Sequence, residues 1–292
     1  MSNYAVRTDL ACEAELTHDK DKSGTSYREE TKLGFTVARL TVENEVGEKL
    51  SGKKMGEYVT VFTKLLCDVD DVSFKSLTAV ISDEIGRFIK KLTAKSSPCV
   101  LVAGLGNREI TADNIGPKTV DSLTVTRHLQ FHNKRLFDEY WHTPLCAIAP
   151  GVLGQTGIET AEIISGICDL VKPDIIIAID ALAARSTERL GATVQISDSG
   201  IFPGSGIGNR RSEISYNTLN IPVVAIGIPT VVNSSTLVYD ALQKAGHKQL
   251  DDALLKVLKS GESFFVSPKQ SDRISESAAE LLSGAIDSLF LI

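Results

Sequence analysis

The chain has 292 residues, 42% hydrophobic and 23% charged, enough to bury the core of one large α/β domain or two small ones. Its formal net charge of -6 argues against a dedicated nucleic-acid surface. No run approaches the roughly 18 apolar residues of a membrane span, and Arg7, Asp9, Glu13 and Glu15 stand where a signal peptide needs an apolar stretch. The reading is a cytoplasmic protein with no membrane partner and no direct nucleic-acid partner.

Up to about Lys32 the chain is polar, and HDKDKSGTSYREE (18–30) concentrates charge, glycine and serine. Residues 1–32 are therefore expected to be a partly mobile segment of a single domain spanning 1–292. Strand-like runs follow at Phe35–Val42 and Tyr58–Phe62, around the turn-rich SGKKMG. From Val72 to Leu92 the apolar spacing turns helical.

A regular alternation then sets in. Cys99–Leu105, Leu145–Gly151, Asp174–Asp180, Ala192–Ser197 and Pro222–Ile228 read as short strands, three of them almost wholly apolar, as central parallel strands are. Amphipathic stretches at 116–130, 157–171, 235–245, 249–259 and 271–289 read as helices. The expected architecture is a three-layer α/β/α sandwich with a mostly parallel sheet. Five cysteines, at 12, 67, 99, 146 and 168, lack metal-ligand spacing and read as buried free thiols.

In open sheets of this kind, chemistry gathers in loops at the carboxyl ends of the strands. The rule selects GLGNREITADNIGP (104–117), APGVLGQTG (149–157), DALAARS (180–186), GIPTVVNSST (227–236) and the glycine-rich stretch 197–211. Asp113 and Asp180 lie in two of these segments. Either acid could cap a following helix or turn. Brought together in a cleft, two carboxylates do not both ionise cheaply, so one can accept a proton from water while the other donates one. They could equally hold a divalent metal. His128 and His132 have i, i+4 spacing without the glutamate of HExxH, GLGN lacks the rest of a phosphate-binding loop, and Ser205 is not in a GxSxG elbow. Each of those three reads as structural.

Together the loops resemble a known family. GLGNREITADNIGPKTVDSLTVTRHL, APGVLGQTGIET, KPDIIIAIDALAARSTERLGATVQISDSGI, PGSGIGNRR and GIPTVV look like successive blocks of the spore germination protease, as do YAVRTDLACEAE, SGKKMGEYVT and FVSPKQSDRISE. The resemblance implies an endopeptidase of small acid-soluble, DNA-coating spore proteins, located in the spore core. It further implies a homotetramer made as a zymogen, with an α/β/α fold similar to hydrogenase maturation proteases. Asp113 and Asp180 match the family's catalytic aspartates, with no cofactor and no metal expected. Asn107, Arg185, Gly204, Ser205 and Gly206 are candidates for binding substrate or an oxyanion. The alternatives are a metal-dependent peptidase using the same aspartates, a non-catalytic peptide-binding module, and a maturation protease for a metalloprotein. Departures from the family pattern are Phe202 where histidine is expected, Asn233 where aspartate is expected, and a short segment before YAVRTDL.

Overall fold

The computed structural model describes residues 8–14, 24–204, 212–247, 251–261 and 264–291. In chain order its strands are β1 (Thr25–Lys32), β2 (Phe35–Val42), β3 (Gly56–Phe62), β4 (Val100–Gly104), β5 (Leu145–Ile148), β6 (Ile175–Ala184), β7 (Thr193–Ser197), β8 (Val223–Asn233) and β9 (Phe265–Val266). The helices are α1 (Glu45–Ser51), α2 (Asp71–Leu92), α3 (Ile115–Ser122), α4 (Arg127–His132), α5 (Lys134–Tyr140), α6 (Leu153–Thr156), α7 (Thr160–Val171), α8 (Tyr216–Leu219), α9 (Ser234–Lys244), α10 (Asp252–Ser260) and α11 (Ser271–Phe290).

One sheet runs β1-β2-β3-β7-β8-β6-β4-β5, with β9 paired to β8. The expected parallel arrangement occupies one half, β5-β4-β6-β8. The other half, β7-β3-β2-β1, continues it antiparallel. Alternate residues of the parallel strands feed two cores. Val100, Val102, Ile177 and Ile226 pack with α2 and α11, while Leu101, Ala103, Ile176 and Ala225 pack with Ile164 and Cys168 of α7. Burial on both faces explains the unbroken apolar runs in the sequence.

Four local expectations change. Residues 25–32, expected in a loop or mobile segment, form β1, paired along its whole length with β2. Its turn, Leu33-Gly34, has φ of 48° and 88°, the conformation of a tight hairpin turn. Water on much of both faces erased the alternation that marks a strand.

The helix expected over 116–130 is broken into α3 and α4. Thr124 donates to the Asp287 carboxylate, and the Thr126 hydroxyl is spent between Thr143 O and Leu145 N. Such local bonds compete with the helix ladder. Asp180 does not cap a helix, because β6 runs through it to Ala184. Pairing with β8 outweighs the helix preference of the alanine-rich ALAAR. Finally, of the five cysteines only Cys168 is fully buried; the others are partly exposed.

Candidate active site

The parallel half contains a point where chain direction reverses. From β4 the chain passes through α3 to β5 on one side, then returns through α7 on the opposite face to β6 on the other side of β4. The connections diverge from the carboxyl ends of β4 and β6, which opens a crevice there. Asp113 belongs to the loop after β4, and Asp180 lies in β6. Both line one cleft of about 1320 Å³.

Asp180 stands in a row across the sheet. Its register partner on β8 is Gly227, whose partner on β7 is Gln195. All three line the cleft. A Cβ on Gly227 would come within 2.4 Å of the Leu182 side chain, so glycine keeps this row open. Asp180 is 6% exposed, and its Oδ1 accepts the N–H of Ala181 at 2.9 Å.

Asp113 closes a short 3-10 turn, Thr111–Asp113. The Asn107 N–H donates to both the Asp113 carbonyl, at 2.9 Å, and its Oδ2, at 3.0 Å. That fold-back needs Gly106, whose φ is 113° and whose added Cβ would lie 2.0 Å from Asp113 O. From the other side comes Thr230. Leu182 pairs with Pro229 but Ala183 with Val231, so Thr230 is the extra residue of a bulge. Its hydroxyl donates to Ala112 O at 2.6 Å. Bulges re-aim side chains in this way. Next to Asp113, the Asn114 side chain accepts the hydroxyl of Ser275 on α11. The acid is thus held by a backbone turn braced from β8, with α11 gripping its neighbour.

Residues 8–14 follow the last turns of β6. The Asp9 N–H donates to Ala183 O, and the Asp9 carboxylate takes the Ala183 N–H. Glu13 accepts the N–H groups of Arg185 and Ser186. Gln195 accepts from Ala11 N and donates to Asp9 O. Lys53 donates to Thr8 O at 2.9 Å, and burial lowers its ammonium despite nearby Asp9 and Glu13. Thr8, Asp9 and Lys53 all line the cleft.

The other anticipated residues divide. Gly204 and Phe202 line the cleft. Asn107 acts on Asp113 through its backbone, while its side chain accepts from Gln155. Arg185 lies outside the cleft lining and forms a two-pronged pair with Asp240 of α9. Asn233 caps α9, accepting the N–H groups of Ser235 and Thr236. Ser205 and Gly206 fall outside the described residues. Sequence reasoning missed Thr230 and Gln195. Thr230 lay unremarked inside the selected segment 227–236, and Gln195 was one polar residue among several in ATVQIS.

Fold and site together describe an α/β/α protein that presents two carboxylates in a switch-point cleft. The model of the germination protease family matches residues 5–248. Similar proteins include the germination protease of Bacillus licheniformis, 44% identical over 87% of this chain and 71% of its own. That of Clostridium acetobutylicum is 39% identical over 97% and 94%. The chain belongs to the germination protease family and is a protease. A nickel–iron hydrogenase maturation protease from Thermococcus kodakarensis aligns at 14% identity, covering 68% of this chain and 97% of its own, with a TM-score of 0.34.

Proposed function

We propose that this protein is an endopeptidase of small acid-soluble spore proteins and that Asp113 and Asp180 act as its acid–base pair. The observation that supports this reading is that both carboxylates line one cleft at the carboxyl ends of β4 and β6. One carboxylate takes a proton from the attacking water. Its protonated partner donates toward the scissile carbonyl and then the leaving amine. The backbone N–H of Gly204, a residue of the cleft wall, is the candidate donor to the developing oxyanion.

The test is cleavage of a purified small acid-soluble spore protein by the wild type and by Asp113→Asn and Asp180→Asn, followed by mass spectrometry. Both variants should be inactive while remaining folded. Full activity in either defeats the pair mechanism, and activity lost on exhaustive chelation and restored by a divalent ion transfers the aspartates to a metal-dependent one.

The reading extends to self-processing and tetrameric assembly. Thr8 and Asp9 already lie in the cleft, which supports the chain's own N-terminal segment as a first substrate. Loss of that segment over time in the wild type, but not in either asparagine variant, checks it. Sedimentation checks the tetramer.

A further inference from the structure

β6 outruns its neighbour. β4 pairs with it from Val100 to Gly104, opposite Ile175 to Ile179, and β6 continues to Ala184. On the shared edge Ile179 gives its carbonyl to the Leu105 N–H, and Ala183, four residues on, faces the same way. There the chain's own residues 8–11 take the place of a strand. Ala183 accepts the Asp9 N–H at 2.8 Å and gives its own N–H to the Asp9 carboxylate at 2.9 Å. Leu10, extended at φ -76° and ψ 129°, buries its side chain with Leu182, Ala184 and Val232. The main chain on either side of it is left to the polar groups of the cleft.

Two side chains read that main chain. Lys53 follows Gly52, whose φ of 66° ends α1, and its ammonium donates to Thr8 O at 2.9 Å. Gln195 of β7 takes hold twice. Its Oε1 accepts the Ala11 N–H at 2.6 Å, and its Nε2 donates to Asp9 O at 3.2 Å. A carboxamide that spans a carbonyl and an N–H two residues further on recognises backbone whatever the side chains are. Gln195 also stands in one row with Asp180, two strand spacings or roughly 10 Å across the sheet, and register partners share a face. The gripped backbone therefore runs over the face that carries the Asp180 carboxylate. Thr8, Asp9, Lys53 and Gln195 line the same cleft as both aspartates.

We propose that Lys53, Gln195 and the β6 edge at Ala183 form a seat for the main chain of an extended peptide, which residues 8–11 occupy in cis and a segment of a substrate protein takes in trans. The proposal rests on the endopeptidase reading, which supplies the substrate. Lys53 and Gln195 are then substrate-binding residues that set the substrate class. They favour extended or unfolded chain, held by strand addition, over folded protein.

The probe is a labelled synthetic peptide with the sequence of residues 4–14, YAVRTDLACEA. It is titrated with the intact Asp113→Asn chain, so that binding is read without cleavage; Asp180→Asn serves equally as the background. Fluorescence anisotropy should show binding that weakens roughly fivefold when an ester oxygen replaces the N–H at the position of Asp9 or of Ala11, the scale of one hydrogen bond. The same change at Leu10, whose N–H goes to the Thr8 hydroxyl within the segment, should cost about twofold or less. That ranking needs no change at Gln195 or Lys53. Adding Gln195→Leu should weaken the parent peptide by a similar factor and abolish the penalty at Ala11. Gln195→Glu, which still accepts an N–H, should keep that penalty. Lys53→Met should weaken every peptide alike, and Lys53→Arg should restore it. With both aspartates in place, Gln195→Leu should raise KM for the spore protein more than it lowers kcat. No binding in trans, equal penalties at Leu10 and Ala11, or a penalty at Ala11 that survives Gln195→Leu overturns the proposal. The ester pattern without cleavage by the wild type sinks the endopeptidase reading alone; cleavage without the pattern sinks the seat alone.

Discussion

Glu84 and Asp180 are the most deeply buried carboxylates among the described residues, and the halves of the sheet treat them in opposite ways. Glu84, on α2, is 0% exposed and packs against the antiparallel half. Arg39 of β2 grips it with two bonds of 2.6 and 2.7 Å, Lys32 with one of 2.7 Å and Arg87 with one of 3.1 Å. Asp180, in the parallel half, is 6% exposed, takes the N–H of Ala181 and opens onto the cleft. A carboxylate ringed by cations is a structural clamp with no open side for a reactant. One that sits on a cleft wall at a switch point is placed for chemistry. Burial alone therefore does not mark a catalytic acid; what shares its cavity does.

The largest effects should separate the two roles. Asp113→Asn or Asp180→Asn is expected to lower kcat/KM by roughly 10²-fold or more, the usual scale of a lost acid or base. The melting temperature should stay near that of the wild type. An equal loss of stability would remove the distinction drawn here. Glu84→Gln should behave oppositely. It removes the most buried of the charge partners of Arg39, which keeps Glu30 at 2.6 Å, so the cost in chemical denaturation should stay below the roughly 3–5 kcal/mol of a fully orphaned buried charge, while the kcat of the folded fraction holds.

Acid sharpens the same contrast. Burial by itself would raise the Glu84 carboxyl, but the hydrogen bonds from Arg39 and Lys32 bring it down to about 2. A depressed folded-state value means that this contribution is complete above the ordinary value of 4.5 and is lost as pH falls through about 2. Unfolding titrations should show that loss in the wild type and a flatter profile in Glu84→Gln. Superimposable profiles would assign the acid sensitivity elsewhere.

Smaller effects test how Asp113 is held. Gly106→Ala places a methyl 2.0 Å from Asp113 O at a φ of 113°, and should cost about 2 kcal/mol or more together with most of the activity. Thr230→Val removes the bond to Ala112 O, for about 1 kcal/mol and a fall in kcat with KM little changed. Thr230→Ser should restore the rate. If serine fails where valine fails, the methyl group and not the hydroxyl matters.

Much of the fold was legible because burial on two faces writes unbroken apolar runs. The positions of β4, β5, β6, β7 and β8, and of α2, α7, α9, α10 and α11, followed from those runs and from helical spacing. β1 was hidden because its exposed residues carry no alternating signal. The break between α3 and α4 was hidden because its cause is a set of bonds to Asp287 and β5, remote in sequence.

The aspartates show the same division. That Asp113 and Asp180 lie beside apolar strands could be read along the chain, and their likeness to a protease family rested on local blocks. That β6 continues through Asp180, that a bulge aims Thr230 at the turn carrying Asp113, and that both acids line one cleft were decided by the tertiary structure. The reason is physical. Strand pairing and a reversal of chain direction join residues dozens of positions apart, and no local preference, such as the helix-forming tendency of ALAAR, records those partners.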